Sequence, residues 1–203
     1  MSRRSRISPA LSAAVAVMTL AAGWACADAS AATVGEPAPG FTLPDLEGAE
    51  HSLSEYRGQV VVLEWINPNC PFSLRHARER TMIELADRDV VFLAINSTNP
   101  DSRDFLTPSE HDAYNREHGI DYPVLYDRSG DVGRAYDAKT TPHMYVIDEE
   151  GTLVYQGAID DDPPGRQSAD ERANYVMAAL ESHDAGRMPE PASTKPYGCT
   201  VKY

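Results

Sequence analysis

Residues 60–73 read VVVLEWINPNCPFS. The apolar run that opens this stretch is interrupted only by Glu64, a pattern that predicts a strand covered on both faces of a sheet. Polar turn residues follow, and Pro71 favours the first turn of a helix, which we expect over residues 71–87. Cys70 is therefore predicted at the junction between a buried strand and the start of a helix.

The rest of the chain predicts strands and helices in alternation around this unit. Expected strands lie at residues 41–43, 51–53, 60–66, 90–96, 122–126, 142–148 and 152–158, and expected helices at residues 71–87, 109–118, 131–136 and 169–182. Right-handed crossovers between the early strands predict a parallel sheet with helices on both faces. The late hairpin, turning at Glu150-Gly151, adds antiparallel strands. This order describes an α/β protein with a thioredoxin-like fold, in which a central mixed sheet carries helices on both faces.

The expected position of Cys70 predicts a reactive thiol. Unpaired backbone N–H groups at the start of a helix favour negative charge. A thiolate is stabilised there, so that its pKa falls below the value of about 8.5 for a free thiol. The thiolate is the nucleophile in thiol–disulfide exchange. The alternative is an inert buried cysteine.

The first 27 residues have the pattern of a secretory signal peptide. A basic start with Arg3, Arg4 and Arg6 precedes an uncharged apolar segment that ends at Ala27. A membrane anchor, or a lipoprotein with Cys26 as the lipidated residue, is the alternative. We expect cleavage near Ala27 and a periplasmic or otherwise exported protein, with no stable membrane insertion after cleavage.

The mature chain is expected to hold one thioredoxin-like domain at residues 34–187 and a Pro-rich C-terminal tail at residues 188–203. Cleavage leaves two cysteines, Cys70 and Cys199. An oxidising compartment permits them to pair, although only the fold can bring such distant positions together. The net charge of −13 at pH 7 predicts an acidic surface. Because such a surface repels nucleic acid and anionic lipid, we expect neither as a partner.

The residues around Cys70 resemble those of a known superfamily. Cys70-Pro71-Phe72-Ser73 is similar to the Cys-x-x-Cys motif of thioredoxins with Ser in the second place, and Thr141-Pro142 resembles their cis-proline loop. The opening at residues 35–43, the segments 141–148 and 154–161, and the Gly198-Cys199 tail resemble the peroxiredoxin-like branch of the alkyl hydroperoxide reductase/thiol-specific antioxidant family. The resemblance covers residues 34–203.

This resemblance implies roles for several residues. Pro142 would lie in cis against Cys70 and leave the Thr141 backbone free to pair with a bound disulfide substrate, with an ordinary trans-proline as the alternative. Glu64 stands where thioredoxins carry a buried acid, whose raised pKa suits proton transfer to or from a thiol. A water-facing place at a sheet edge is the alternative for Glu64. The expected substrate-binding residues are Trp65, Pro71, Phe72, Ser73 and His143. Trp65 and Phe72 would screen Cys70 from solvent, unless they only pack in the core.

Two departures from the peroxiredoxin pattern argue against peroxidase activity. Peroxiredoxins carry Thr or Ser three residues before the reactive cysteine, and Asn67 stands there when counted back from Cys70. Pro142 stands in place of the Arg of the late strand. The triad that activates hydroperoxides is therefore not recognisable in this chain.

The remaining candidate residues lie outside the motif. Cys199 lies in a polar tail that we expect to be a flexible arm, which can fold back to form a disulfide with Cys70, as a resolving cysteine or a structural staple. A free tail thiol or an intermolecular disulfide is the alternative. His143, together with Met144, His76 and Cys70, suggests soft-metal chemistry such as Cu(I) binding. Neighbouring strand residues point to opposite faces, however, so that no metal is expected. The Asp160-Asp161-Asp162 run is interpreted as a solvated loop rather than a cation site.

The leading hypothesis is an exported thiol-disulfide oxidoreductase with antioxidant activity, which uses Cys70 as its nucleophile and needs no cofactor. Its partners would be protein or small-molecule disulfides, or hydroperoxides, together with an external thiol reductant. One alternative is a thiol peroxidase in which Cys199 resolves a Cys70 sulfenate. The other is a copper-binding assembly factor without turnover, against which the missing second motif cysteine counts.

Overall fold

The structure is a computed structural model that describes residues 31–86, 88–168 and 170–203. The segment interpreted as a signal peptide, with Cys26, lies outside these residues, so that its cleavage and export stay predictions. No helix among the described residues combines the length and the apolar character that a bilayer crossing requires.

The elements alternate along the chain as expected. Among the described residues, the strands are β1 (Thr42–Pro44), β2 (Glu50–Ser52), β3 (Val61–Trp65), β4 (Val91–Asn96), β5 (Val124–Tyr126), β6 (Thr140–Thr141), β7 (His143–Ile147), β8 (Leu153–Gly157) and β9 (Cys199–Thr200). The α-helices are α1 (Pro71–Arg78), α2 (Thr81–Ala86), α3 (Pro108–His118), α4 (Asp131–Ala135) and α5 (Tyr175–Asp184). A 3₁₀ turn at Leu53–Tyr56 follows β2.

A five-stranded mixed sheet in the order β5-β4-β3-β7-β8 lies at the centre of the molecule. Strands β3, β4 and β5 run parallel, whereas β7 and β8 form the antiparallel hairpin expected from the sequence. Strand β3 is central, and all five of its residues are buried. The hairpin turns at Gly151, whose φ of +82° suits glycine. This is the mixed sheet of a thioredoxin-like α/β fold, as predicted.

Apolar side chains cover both faces of the sheet. On one face, α2 and α5 pack against it through residues such as Leu85 and Leu180. On the other face, Phe41 and Tyr136 cover Trp65 and its neighbours. Full burial of a side chain of this size stabilises the fold by about 1.5–3 kcal/mol. The two layers enclose β3, the strand that leads into the turn before Cys70.

Two helix boundaries differ from the predictions. The helix expected over residues 71–87 is divided into α1 and α2, because Arg80 takes a φ of +56° that no α-helix accommodates. The last helix begins at Tyr175 instead of residue 169. Its start follows Asn174, whose side chain accepts a hydrogen bond from the N–H of Met177 and caps the helix.

The C-terminal tail is packed onto the domain, and the expectation of a flexible arm is wrong for this conformation. Strand β9 pairs antiparallel with β6. Val201 is buried, and its N–H donates to the carbonyl of Lys139 at 3.1 Å. The N–H of Asn99 donates to the carbonyl of Lys202 at 2.6 Å. The tail therefore has backbone partners on both sides of Cys199.

Candidate functional site

Cys70 lies where strand β3 ends and helix α1 begins, as predicted. It directly precedes the helix, with φ −86° and ψ 122°, and Pro71 is the first helical residue. Its N–H donates to the carbonyl of Asn67 at 2.9 Å, which closes the turn after the strand. The side chain therefore stands at the positive end of the helix dipole. Cys70 is only 2 % exposed.

The Thr141–Pro142 peptide bond is cis, as predicted, and it lies against the thiol. Cys70 Sγ donates a hydrogen bond to the carbonyl oxygen of Thr141 at 2.8 Å. Both residues of the loop are buried. The parallel and antiparallel halves of the sheet thus meet at Cys70.

Cys199 takes the backbone position that the resemblance reserved for a substrate. The Thr141 backbone is not free, as had been expected, because β6 pairs with β9 and sets Thr141 directly opposite Cys199. Gly198 comes so close that a Cβ atom at this position would collide with the Thr141 carbonyl. Cys70 and Cys199 thus both lie against Thr141, which accepts the Cys70 thiol at its carbonyl and pairs with Cys199 across the two strands. The chain therefore places its own tail against the cis-proline loop.

Hydrogen bonding shifts the pKa values of the two thiols in opposite directions. Burial raises the pKa of Cys70, but hydrogen bonds to its sulfur outweigh this effect and hold the pKa below its ordinary value. The donors are the Cys199 thiol, the Ser73 N–H, the Thr141 side chain and the Cys199 N–H. Burial and the hydrogen bond to Cys70 raise the pKa of Cys199 to about 12. When the pair loses one proton, the negative charge therefore rests on Cys70 and the remaining proton on Cys199.

Both cysteines that the structure describes are free thiols. Cys199 is partly exposed, and Lys202 and Asp104 act electrostatically on its thiol. A disulfide between Cys70 and Cys199 remains a prediction. The pairing of β9 with β6 places Cys199 opposite Thr141, the residue that the Cys70 thiol contacts.

Glu64 lies inside the central strand and is 2 % exposed, so that the alternative of a water-facing sheet edge is wrong. Burial raises its pKa to about 8, and a hydrogen bond with Tyr122 opposes this only in part. Its Oε2 atom has no hydrogen-bond partner among the described residues. With Ser73 and His76 of α1, the side chain lines a cavity of about 10 Å³. A carboxyl that is protonated at neutral pH thus lies under the helix that begins at Cys70.

The other motif residues, at the start of α1, differ in their exposure and in their contacts. Pro71 is exposed, and the half-buried ring of Phe72 packs edge-on against Tyr197 of the tail, with 5.9 Å between ring centres. Ser73 is buried, and its hydroxyl has no hydrogen-bond partner within the described part of the chain. Phe72 thus contacts the tail, whereas Ser73 faces inward.

Trp65 and His143 are directed to the core around Tyr145. Trp65 is fully buried, donates from Nε1 to the hydroxyl of Ser97 at 3.0 Å and packs against Tyr145. The structure therefore supports the core-packing alternative for Trp65. The Nδ1 atom of His143 lies 3.0 Å from the Tyr145 hydroxyl. Burial lowers the pKa of His143 to about 4. His143 and Met144 occupy opposite faces of the sheet, as predicted.

A buried polar cluster around Asp160 has no counterpart among the predictions. Asp160 is 1 % exposed, so that its interpretation as part of a solvated loop is wrong. The Tyr197 hydroxyl donates a hydrogen bond to its Oδ1. Arg75 and Arg172 each place a nitrogen 3.6 Å from its Oδ2. The sequence signal that could have indicated the burial of Asp160 is its position directly after the apolar residues that follow β8.

The described residues hold no group of three or more His, Cys, Asp or Glu side chains arranged for a metal ion. His143 is turned toward Tyr145, so that a Cu(I) site shared with Cys70 has no support in the geometry.

Similar proteins carry related chemistry. The AhpC/TSA family model matches residues 34–156. The thiol-disulfide oxidoreductase ResA of Halalkalibacterium halodurans is 30% identical over 161 residues, which cover 76% of this chain and 87% of that protein. ResA of Geobacillus thermodenitrificans is 31% identical over 128 residues, which cover 61% of this chain and 68% of that protein. Among solved structures, an uncharacterized conserved protein from Geobacillus kaustophilus superposes with a TM-score of 0.75 at 29% identity, covering 84% of this chain and 92% of that one.

Proposed function

The chain belongs to the AhpC/TSA family of thiol redox proteins, and from this membership we propose that it is a thiol-disulfide oxidoreductase with Cys70 as nucleophile and Cys199 as resolving cysteine. One observation carries the proposal: strand pairing sets Cys199 opposite Thr141, whose carbonyl accepts the Cys70 thiol at 2.8 Å at the start of α1. The low pKa of one and the high pKa of the other give the two cysteines different roles.

In the first step, the Cys70 thiolate attacks one sulfur of a substrate disulfide. A bond forms between Cys70 Sγ and that sulfur, the substrate disulfide breaks, and its other sulfur leaves as a thiolate. The lowered pKa of Cys70 supplies the attacking thiolate. Before Cys70 ionises, Thr141 and Pro142 position its sulfur through the hydrogen bond that the thiol donates to the Thr141 carbonyl.

In the second step, Cys199 attacks Cys70 Sγ, and the bound half of the substrate leaves as a thiolate. The proton of Cys199 passes to this leaving thiolate, because a thiol with a pKa of about 12 does not ionise unaided near neutral pH. The products are a Cys70–Cys199 disulfide and a substrate with two thiols, so that two electrons have moved to the substrate. An external thiol reductant then restores both cysteines.

Ser73 makes Cys199 necessary in this scheme. In a Cys-x-x-Cys motif the second cysteine releases the partner locally, whereas the buried hydroxyl of Ser73 forms no disulfide. Glu64 is assigned the role of a buried proton donor and acceptor. Its pKa of about 8 lies near the working pH, as general acid–base catalysis requires.

The test follows oxidised glutathione as substrate with the mature protein and two single variants. The unchanged protein releases both halves of the substrate and forms the Cys70–Cys199 disulfide. Cys199→Ser stops after releasing one half and keeps glutathione on Cys70. Cys70→Ser is inactive, and continued turnover by this variant would defeat the proposal.

Peroxide reduction is a second candidate. Cys70 is only 2 % exposed, and a small oxidant reaches a buried sulfur more easily than a protein disulfide does. The Cys70 thiolate attacks the peroxide, the O–O bond breaks, an alcohol or water leaves, and a sulfenate forms. The sulfenate takes up a proton, and Cys199 condenses with the resulting sulfenic acid, releasing water. The expected result is consumption of one peroxide per Cys70–Cys199 disulfide formed. A Cys70 thiol that stays intact in excess hydroperoxide would exclude this function.

We also propose that the mature protein works outside the cytoplasm, after cleavage near Ala27. N-terminal sequencing of the protein purified from its host tests this. A first residue near Asp28 is expected, whereas an intact Met1 would contradict export by a cleaved signal peptide.

A further inference from the structure

The tail is held on both sides of Cys199, but by different means. After Cys199, Val201 is buried in the core and the Tyr203 hydroxyl donates to the carbonyl of Ala138 at 2.7 Å. Before Cys199, the Thr194 hydroxyl accepts a hydrogen bond from the N–H of Ala158 at 2.9 Å. Between this point and Cys199, one large side chain, that of Tyr197, enters the domain.

Tyr197 enters a pocket formed largely by the helix that carries the nucleophile. Its hydroxyl lies 2.8 Å from Arg75 Nη2 and 3.0 Å from His76 Nε2, and it donates to the buried carboxylate of Asp160. Its ring packs against Phe72. Three of these contacts come from helix α1, through Phe72, Arg75 and His76. The helix that begins directly after Cys70 therefore also binds the tail, at a residue two positions before Cys199.

Two of the three polar partners of the Tyr197 hydroxyl, His76 and Asp160, are buried, and Arg75 is half-buried. Asp160 is 1 % exposed and has cations only on one side, where Arg75 and Arg172 approach Oδ2. Its Oδ1 accepts the Tyr197 hydroxyl. His76 is neutral, since burial and then the charge of Arg75 lower its pKa to about 3. A buried carboxylate oxygen that loses its donor is costly, so that the hydroxyl favours the docked tail.

We propose that Tyr197 is the positioning residue for Cys199: seated between α1 and Asp160, it holds the tail so that Cys199 faces Cys70 and Cys70 is closed to external partners. This inference rests on the proposed thiol-disulfide chemistry and adds a control over it. With the ring seated, Cys199 has a high effective concentration at Cys70. With the ring released, Cys70 opens to outside reagents and Cys199 moves away.

The proposal predicts opposite changes in two measurements. The effective concentration of Cys199 is obtained from the equilibrium of the Cys70–Cys199 disulfide with reduced and oxidised glutathione. Tyr197→Ala lowers it by about tenfold or more, because the tail spends less time in the productive place. Tyr197→Phe keeps the ring but loses the hydroxyl, and it lowers the effective concentration of Cys199 by about threefold.

The second measurement is alkylation of Cys70 by iodoacetamide in a Cys199→Ala background. Rate constants are compared at high pH, where the thiol is fully ionised in every variant, so that a shifted pKa does not affect the comparison. Tyr197→Ala raises this limiting rate constant by about tenfold, because the tail no longer covers the sulfur.

Ile147→Val provides the control, since it removes one methylene from the core at the opposite end of β7 from the cis-proline loop and lowers stability without touching the Tyr197 pocket. It should leave both measurements unchanged. If the wild-type disulfide forms but Tyr197→Ala alters neither quantity, the positioning role is overturned and the proposed function stands. If the wild-type protein forms no Cys70–Cys199 disulfide, both fail.

Discussion

At the scale of single residues, the proposed chemistry depends on which of two thiols, that of Cys70 or that of Cys199, loses its proton first. Burial alone would make Cys70 a poor acid, and donors around its sulfur reverse that effect. The strongest of these donors is Cys199, whose own pKa rises to about 12. In the proposed scheme, the resolving cysteine therefore activates the nucleophile before it reacts with it.

Cys199→Ala is therefore expected to raise the pKa of Cys70, because the thiol that donates to its sulfur is gone. The pH dependence of iodoacetamide alkylation, with the labelled residue identified by mass spectrometry, measures this pKa. Cys199→Ser should shift it less, since a hydroxyl still donates. An unchanged midpoint in Cys199→Ala would show that Cys199 does not stabilise the thiolate.

Glu64 predicts a pH dependence of stability. Its pKa rises from 4.5 to about 8 on folding. Below pH 4.5 both states hold the proton. Between pH 4.5 and 8 only the unfolded state releases it, so that the contribution of Glu64 to stability falls by about 1.4 kcal/mol per pH unit, against the opposite contributions of the buried histidines His76 and His143. Glu64→Gln cannot titrate, and the pH dependence of its free energy of unfolding differs from that of the wild type by this contribution. Urea unfolding at several pH values measures it.

The control for Glu64 is Glu117→Gln, on the exposed side of α3. This variant should follow the wild-type slope. If Glu64→Gln also keeps the full slope, the buried carboxyl is not the group responsible.

At the scale of elements, local pattern predicted most of the framework. The apolar run before Cys70 and Pro71 after it specify strand β3, the turn and the start of α1, because each depends on neighbouring residues alone. The break at Arg80 was not predictable, since this residue has a positive φ without being a glycine, and no local sequence pattern indicates one there. The pairing of β9 with β6 was equally hidden, because a two-residue strand has no periodicity.

The β6–β9 pair supplies a prediction at this scale. Gly198 has a φ of +136° and no room for a side chain beside Thr141. Gly198→Ala therefore opposes the pairing, at a cost of about 1–3 kcal/mol for the backbone strain. We expect weaker formation of the Cys70–Cys199 disulfide and faster alkylation of Cys70.

Gly186→Ala is the matched control for Gly198. Gly186 also has a positive φ, +67°, but nothing lies within 4 Å of the added Cβ. It should lose some stability and keep normal disulfide formation. Equal behaviour of the two variants would mean that the strand pair does not position Cys199.

At the scale of the whole molecule, the tail links the last residues of the chain to its reactive centre. The sequence placed Cys70, the cis-proline loop and the sheet correctly, because each belongs to a segment with a strong pattern of its own. The cluster of Asp160, Tyr197 and Arg75 was missed, since it joins three segments that look polar and exposed when taken alone.

Oxidation should stabilise the whole fold. A Cys70–Cys199 disulfide closes most of the domain into one loop, and a loop of that length contributes about 4–5 kcal/mol in the chain-entropy picture. The oxidised protein should therefore unfold at a higher urea concentration than the reduced protein. Cys199→Ser should show no such difference, and equal midpoints for the two wild-type forms would mean that the bond strains the native tail.

The most direct measurement is peptide mapping of the reduced mature protein after reaction with one equivalent of oxidised glutathione. We predict an intramolecular bond between Cys70 and Cys199 and both halves of the glutathione released as thiols. Glutathione that stays on Cys70, or a disulfide between two copies of the chain, would contradict the account.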